Sequence, residues 1–459
     1  MSKENQNPRL GENKMGVMPV GKLLLNMALP MIISMLVQAL YNVVDSVFVS
    51  MIPENSENAV TALGLAFPIQ NIQIGFATGI GVGVNALLSK SLGEGEQETA
   101  NRSAGNGILL VSLVTVAVLL FGILGAEPYY AIQSDNAVTV QYGTSYTAIC
   151  CLFGAGVFVE ILFERLLQAS GRTVYTMITQ GVGAVINIIL DPIFILALDM
   201  GMAGAAIATV IGQWVAALLA VYFNIKCNPD VQLGLRYIRP KKDVIRPSLT
   251  VGIPSIIMVA IGSVMNFSMN QILQGLDPTE TATGVFGIYY KLQSFFFMPL
   301  FGLNNATISI VAYNFGARNP KRITDTLKRS ALSAMCIMLV GLAAFQLLPD
   351  VLLSLFHPSD EFLRIGRSAL QIISIHFPLA AIAIALGASF QALGNGIYST
   401  ITSLCRQMFV LLPAAYLLSL TGEVTNVWWA FPIAEVISLL ITLLFYNRIY
   451  RQKIRPLGK

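Results

Sequence analysis

The chain has 459 residues, 55% hydrophobic and 11% charged, with a mean hydropathy of +0.69 and a formal net charge of +4. That apolar excess excludes a water-soluble globule and places the chain in a bilayer. The small positive balance lies in loops, which argues against nucleic-acid binding and for a topology signal.

In chain order, the polar segment 1–21 lacks an apolar run ending in a small-residue cleavage site, so the first apolar stretch is expected to remain as a spanning helix. Twelve apolar runs follow, each able to cross a bilayer core that needs about 20 helical residues. They are 22–50, 62–88, 104–125, 142–168, 173–198 and 202–225, then 249–274, 282–312, 327–349, 366–392, 398–420 and 425–448. Lipid leaves no backbone polar group unpaired outside a helix or a closed barrel, and barrel-type alternation is absent, so the runs are predicted to be helices. Pro30, Pro68, Pro192, Pro254, Pro299, Pro378, Pro413 and Pro432 fall within them as candidate kinks. The expected fold is an all-α integral membrane protein with two six-helix lobes, 22–225 and 249–448, a basic linker 226–248 and a basic tail 449–459.

The halves resemble each other at a spacing of 223 residues: Gln168-Ala169-Ser170-Gly171 returns as Gln391-Ala392-Leu393-Gly394, and Gly64, Gln70, Gly79 and Gly93 return as Gly287, Gln293, Gly302 and Gly316. Six spans per half give both halves one orientation, so the pseudo-twofold axis runs along the membrane normal. With the N-terminus inside, the tails and the loops on that side hold every lysine and arginine except Lys291, Arg364 and Arg367, whereas Glu54, Glu57, Glu127, Asp135, Asp277, Glu280 and Glu423 lie on the other side. Both termini are therefore expected in the cytoplasm of a bacterial or archaeal plasma membrane. The five cysteines, an odd number without ligand spacing, read as buried thiols.

An ionisable group in hydrocarbon is costly enough to mark function. The acids predicted within spans of the first half are Asp45, Glu160, Glu164 and Asp191, and their counterparts in the second half carry no carboxylate. Asn187 and Asp191 are one helical turn apart, and Pro192 cannot donate to the carbonyl of Ile188, so a carboxylate, an amide oxygen and a freed carbonyl could together hold Na⁺, or the carboxylate alone a proton. Asp45 reads equally as a lobe-facing acid or a helix-end group. Thr209 and Gln70 could add ligands, although an interhelical hydrogen bond is the commoner role of such groups. Glu164 adjoins Arg165 and reads as a local ion pair or a substrate contact, with Glu160 one turn deeper. Lys291, Arg406 and Glu435 could pair and brace the second lobe. Met265, Tyr289 and Phe296 belong to a Met- and aromatic-rich region suited to flat organic ligands or to ordinary packing. Gly79 to Gly83 reads as close helix packing rather than a phosphate loop, and no nucleotide fingerprint or catalytic constellation is present, so neither ATP nor enzymatic chemistry is expected.

Leu29-Pro30 through Asp45-Ser46-Val47-Phe48-Val49-Ser50, Leu63-Gly64 through Leu92-Gly93, Gln168 to Gly171 with Asn187-Ile188-Ile189-Leu190-Asp191-Pro192, and Ala312-Tyr313-Asn314-Phe315-Gly316 together resemble the multidrug and toxic compound extrusion (MATE) family, DinF-like prokaryotic branch. The resemblance implies an antiporter, acting as a monomer without cofactor, that expels drugs, dyes and other mostly cationic amphipathic compounds against inward H⁺ or Na⁺. It implies a cation site at Asp45, Asn187, Asp191 and Thr209, and a helix acid at Glu164. A lipid-linked oligosaccharide flippase of the same superfamily is the alternative; more basic residues within the spans would be expected of it.

Overall fold

The computed structural model describes residues 13–52, 56–277, 279, 281–354, 356 and 359–458, with the side chains of Asn42, Ser46, Ser50, Ser56 and Glu57 left aside. Lys3, Arg9, Glu54 and Glu280, used above to orient the chain, lie outside the described residues. Among the described residues there is no strand. Ten helices are long and apolar enough to span a membrane, and two bent pairs bring the number to as many as 12.

The first half comprises α1 (Val20–Ser50), α2 (Ser56–Glu94), α3 (Gln97–Leu124), α4 (Ala137–Leu152 and Ala155–Ala169), α5 (Thr173–Pro192) and α6 (Gly201–Cys227). The second comprises α7 (Lys242–Leu276), α8 (Thr281–Gly316), α9 (Pro320–Leu347), α10 (Asp360–Ser374 and Phe377–Ala392), α11 (Gly396–Leu404, continuing through Cys405–Leu411 and Leu412–Ser419) and α12 (Ala430–Ile449).

Of the two sharp bends, one stands at a candidate proline, Pro378. Pro30, Pro68, Pro254 and Pro299 sit inside unbroken helices. The breaks are in α4, by 47°, and α10, by 45°. Phe153 and His376, which stand at those breaks, are separated by the 223-residue repeat, so the bend belongs to the duplicated unit. Only the second copy carries a proline there: Pro378 opens the second segment of α10, where its missing N–H is harmless. Pro192 and Pro413 adjoin π-helical stretches, Ile193–Ala197 and Cys405–Leu411.

The halves meet where α2 packs on α7 and α1 on α8. Glycine sets the approach. A Cβ on Gly83 would stand 2.0 Å from the carbonyl oxygen of Ser248, and one on Gly79 2.8 Å from that of Gly252. At the ends of α2 and α8 the contact is reciprocal: a Cβ on Gly93 would meet the carbonyl of Tyr313 at 2.0 Å, and one on Gly316 that of Lys90 at 2.1 Å. Gly93 and Gly316, like Lys90 and Tyr313, are repeat equivalents. The pseudo-twofold axis therefore passes between these helix ends, on the side of the membrane that holds the start of α1.

A short helix, Lys14–Val17, straps that side. Asn13 Nδ2 donates to the Ser170 carbonyl of the first half at 3.2 Å, while the Met15 carbonyl accepts from Asn314 Nδ2 at 3.1 Å and Arg322 Nη2 at 2.8 Å in the second. Met15, Leu23, Met27 and Met31 are buried in one cluster with Phe286, Leu300 and Leu303, so the first turns of α1 belong to the core of the second half.

The connection between the halves is shorter than hydropathy indicates, because the polar turn Lys242 to Pro247 is already helix. Its middle is fastened to α3: Asn101 Nδ2 donates to Tyr237 Oη at 3.2 Å, Asn101 Oδ1 accepts from Gln232 N at 2.8 Å, and Asn106 Oδ1 accepts from Lys241 N at 3.0 Å.

Candidate functional site

The far end of α1 leans on α5, which packs on α6, and these helices collect the carboxylates. Asp191 is fully buried and Asp45 nearly so, at 8% exposure. Asn187 Nδ2 donates to Asp191 Oδ1 at 3.3 Å and lies 3.5 Å from Thr209 Oγ1, the geometry that the one-turn spacing on α5 predicts. Asp45 Oδ1, Asp191 Oδ2 and Asn187 Oδ1 have no hydrogen-bond partner. The two aspartates are close enough to interact electrostatically, and Tyr41 is within reach of both and of Glu160. Among the described residues no group of three or more His, Cys, Asp or Glu is assembled as a metal centre. The oxygens present suit one small monovalent cation or protons.

Glu160, with Gln38, Tyr41, Asn187 and Thr209, lines a cavity of about 70 Å³ beside this cluster. That volume admits a few waters and falls far short of the several hundred Å³ a drug-sized ligand requires. Glu164 lines no cavity described here. Its oxygens accept from Thr179 Oγ1 at 2.6 Å and Gln180 Nε2 at 2.9 Å, tying α4 to α5, while Arg165 donates to Gln168 Oε1 at 2.9 Å instead of forming the expected contact pair. Gln70 Nε2 donates to Tyr146 Oη at 2.9 Å, the interhelical bond expected of it.

A second cavity, of about 580 Å³, lies against the C-terminal half, with Met35, Thr78 and Val82 closing it from the N-terminal half. Met265, Tyr289, Tyr290, Phe297 and Phe301 form its apolar wall. Phe296 turns away and packs on Phe345, with ring centroids 5.7 Å apart. Arg406 and Glu435 also face this space, Arg406 Nη1 standing 3.7 Å from Glu435 Oε1, and Lys291 is exposed and takes no part in the pair. Sequence reasoning missed His376, Gln293 and Asn304, which face the same space. His376 had a signal: it is one of two histidines in the chain, and its repeat equivalent is Phe153.

A family model described as MatE matches residues 30–193 and 254–417, one copy in each half of the repeat. The multidrug export protein MepA of Staphylococcus aureus is 25% identical over 430 residues, covering 93% of either chain, and the protein of that description from Staphylococcus haemolyticus is 24% identical, covering 92% of either. Among solved structures, an outward-facing conformation of a multidrug resistance MATE family transporter of the MOP superfamily aligns with a TM-score of 0.91 at 24% identity, over 98% of this chain and 100% of that one. A MATE in the straight conformation aligns at 0.90 and 24%, over 97% and 98%. The sequence match in both halves and the shared two-lobe fold establish that the chain belongs to the MatE family of multi-pass membrane transporters.

Proposed function

We propose that this transporter exports diverse organic compounds as a secondary antiporter, driven by inward H⁺ or Na⁺ bound at Asp45, Asn187, Asp191 and Thr209. The observation that carries the reading is the set of three buried oxygens, on Asp45, Asn187 and Asp191, that lack a donor inside an apolar lobe. An uncompensated carboxylate there is costly, and a proton or cation removes the cost. Because α1 touches α8 with its first turns and carries Asp45 near its far end, occupancy at Asp45 bears on the helix that links the lobes. The export role follows the named activity of the staphylococcal relatives. With both termini in the cytoplasm, the packed helix ends close the cytoplasmic side, which fits a conformer open outward.

The drug would occupy the cavity of about 580 Å³. Efflux of ethidium from everted vesicles under imposed pH and Na⁺ gradients tests the proposal. Asp191→Asn should abolish gradient-driven efflux while protein level in the membrane stays normal, since the amide neither releases a proton nor balances a cation. Wild-type efflux by Asp191→Asn would refute the N-lobe coupling site.

A further inference from the structure

At the repeat spacing, Arg406 corresponds to Gly183 and Glu435 to Gly212. In the N-terminal half those glycines bring α5 and α6 into backbone contact: a Cβ on Gly183 would lie 3.0 Å from the Gly212 carbonyl, and one on Gly212 2.9 Å from that of Gly183. In the C-terminal half two long charged side chains stand in the same place, so α11 and α12 cannot close in that way, and α11 takes π-helical turns over Cys405–Leu411 there. The space gained belongs to the large cavity, whereas its N-terminal counterpart holds about 70 Å³. The pair is poorly satisfied. At 3.7 Å it exceeds hydrogen-bond length, Glu435 Oε1 has no hydrogen-bond partner, and Tyr289 Oη and Asn304 Oδ1 on the same wall have none either.

We infer that the Arg406–Glu435 pair makes this cavity a site for amphipathic zwitterions, whose anionic oxygen group docks on Arg406, whose cationic group faces Glu435, and whose flat apolar body lies on Tyr290, Phe297 and Phe301. The inference rests on the reading of this cavity as the drug site. Its physical ground is charge balance. The pair is neutral, so a simple organic cation or anion leaves one member uncompensated, whereas a zwitterion replaces one loose pair with two close ones. The planar guanidinium offers five donors in a fork that matches a carboxylate. Glu160 and Glu164 line none of this space.

Rhodamine B and its ethyl ester share one cationic ring system and differ in a free carboxylate, so they isolate the feature. Fluorescence anisotropy with the full chain in lipid nanodiscs should show the zwitterion bound about tenfold more tightly than the ester, the value of one charge-assisted hydrogen bond. Arg406→Gln should abolish that preference without weakening the ester, and Arg406→Lys should restore part of it. An ester that binds wild type as tightly as the zwitterion overturns the inference and leaves the drug site standing, and that comparison needs no variant to fold. Equal weakening of both dyes by Arg406→Gln also overturns it, since a mere brace would act so. Binding of neither dye overturns the drug-site reading and the inference with it.

Discussion

Substituting Gly93 by alanine tests whether the glycine contact on the pseudo-twofold axis holds one side of the molecule shut. The new Cβ would stand 2.0 Å from the carbonyl oxygen of Tyr313 and 3.0 Å from the nitrogen of Ala317. Both are backbone atoms and cannot rotate away as a side chain would. Ordinary contact begins near 3.4 Å, so the ends of α2 and α8 must part by about 1.4 Å in a region packed at crystal-like density. Overpacking of this kind costs about 1–3 kcal/mol, a shift of roughly 5- to 150-fold against the packed arrangement. Hydrogen exchange read by mass spectrometry on peptides covering 85–96 and 306–318 should therefore show protection reduced by about an order of magnitude. Gly287→Ala is the control, since nothing lies within 4 Å of its added Cβ. If Gly93→Ala retained wild-type protection, or lost no more than Gly287→Ala, the axial contact would not be what keeps the helix ends together.

Other variants separate bracing from transport. Arg322→Ala removes donors to the carbonyls of Met15 and Met18, both at 2.8 Å, and to Asn314 Oδ1 at 3.0 Å. Limited proteolysis should then cut the strap around Lys14–Val17 at least tenfold faster, since each charge-assisted bond contributes about 1.5–3 kcal/mol; an unchanged rate would show that buried Met15 and the bonds made by Asn13 and Asn314 hold it without Arg322. Thr179→Val leaves Glu164 Oε1 without its 2.6 Å donor, and the thermal stability of the purified protein should fall by about 1–3 kcal/mol while dye affinity in the large cavity is unchanged. A loss of dye affinity with normal stability would return Glu164 to the ligand site.

Hydropathy made the spans legible because lipid demands apolar length, and the repeat made the lobes legible. The boundaries that escaped are those where helix runs on into polar residues. Lys242 to Pro247 has the charge of a loop and the structure of a first helical turn, and α2 continues past Lys90 to Glu94. The bend at Phe153 escaped because no proline marks it, and only its echo at Pro378 carries the familiar signal. Within the candidate site, the turn between Asn187 and Asp191 was visible as a four-residue spacing, since both residues sit on one helix. Whether Glu164 or Glu160 faces open space depends on Thr179 and Gln180 of a different helix, and no spacing along α4 encodes that. Arg406 and Glu435 were visible as charges in apolar runs. That they replace a pair of touching glycines emerges only when the repeat is laid over the packing.

The axial contact between α2 and α8 also bears on what one chain can do that two identical chains cannot. In a homodimer with an isologous interface every substitution on the axis appears twice, so a residue there must tolerate its own copy. Here the backbone part of the contact is still the same in both directions, glycine against carbonyl, while the side chains around it have parted company. Lys90 extends its ammonium over the ring of Phe315, 5.9 Å from the centroid, whereas its equivalent, Tyr313, is matched with Leu92, the equivalent of Phe315. A cation on a ring on one flank, at positions that hold a tyrosine and a leucine on the other, is an arrangement only a fused pair can fix. Fusion thus lets the seam be tuned on one flank at a time, and an asymmetric seam can favour different lobe packings to different degrees.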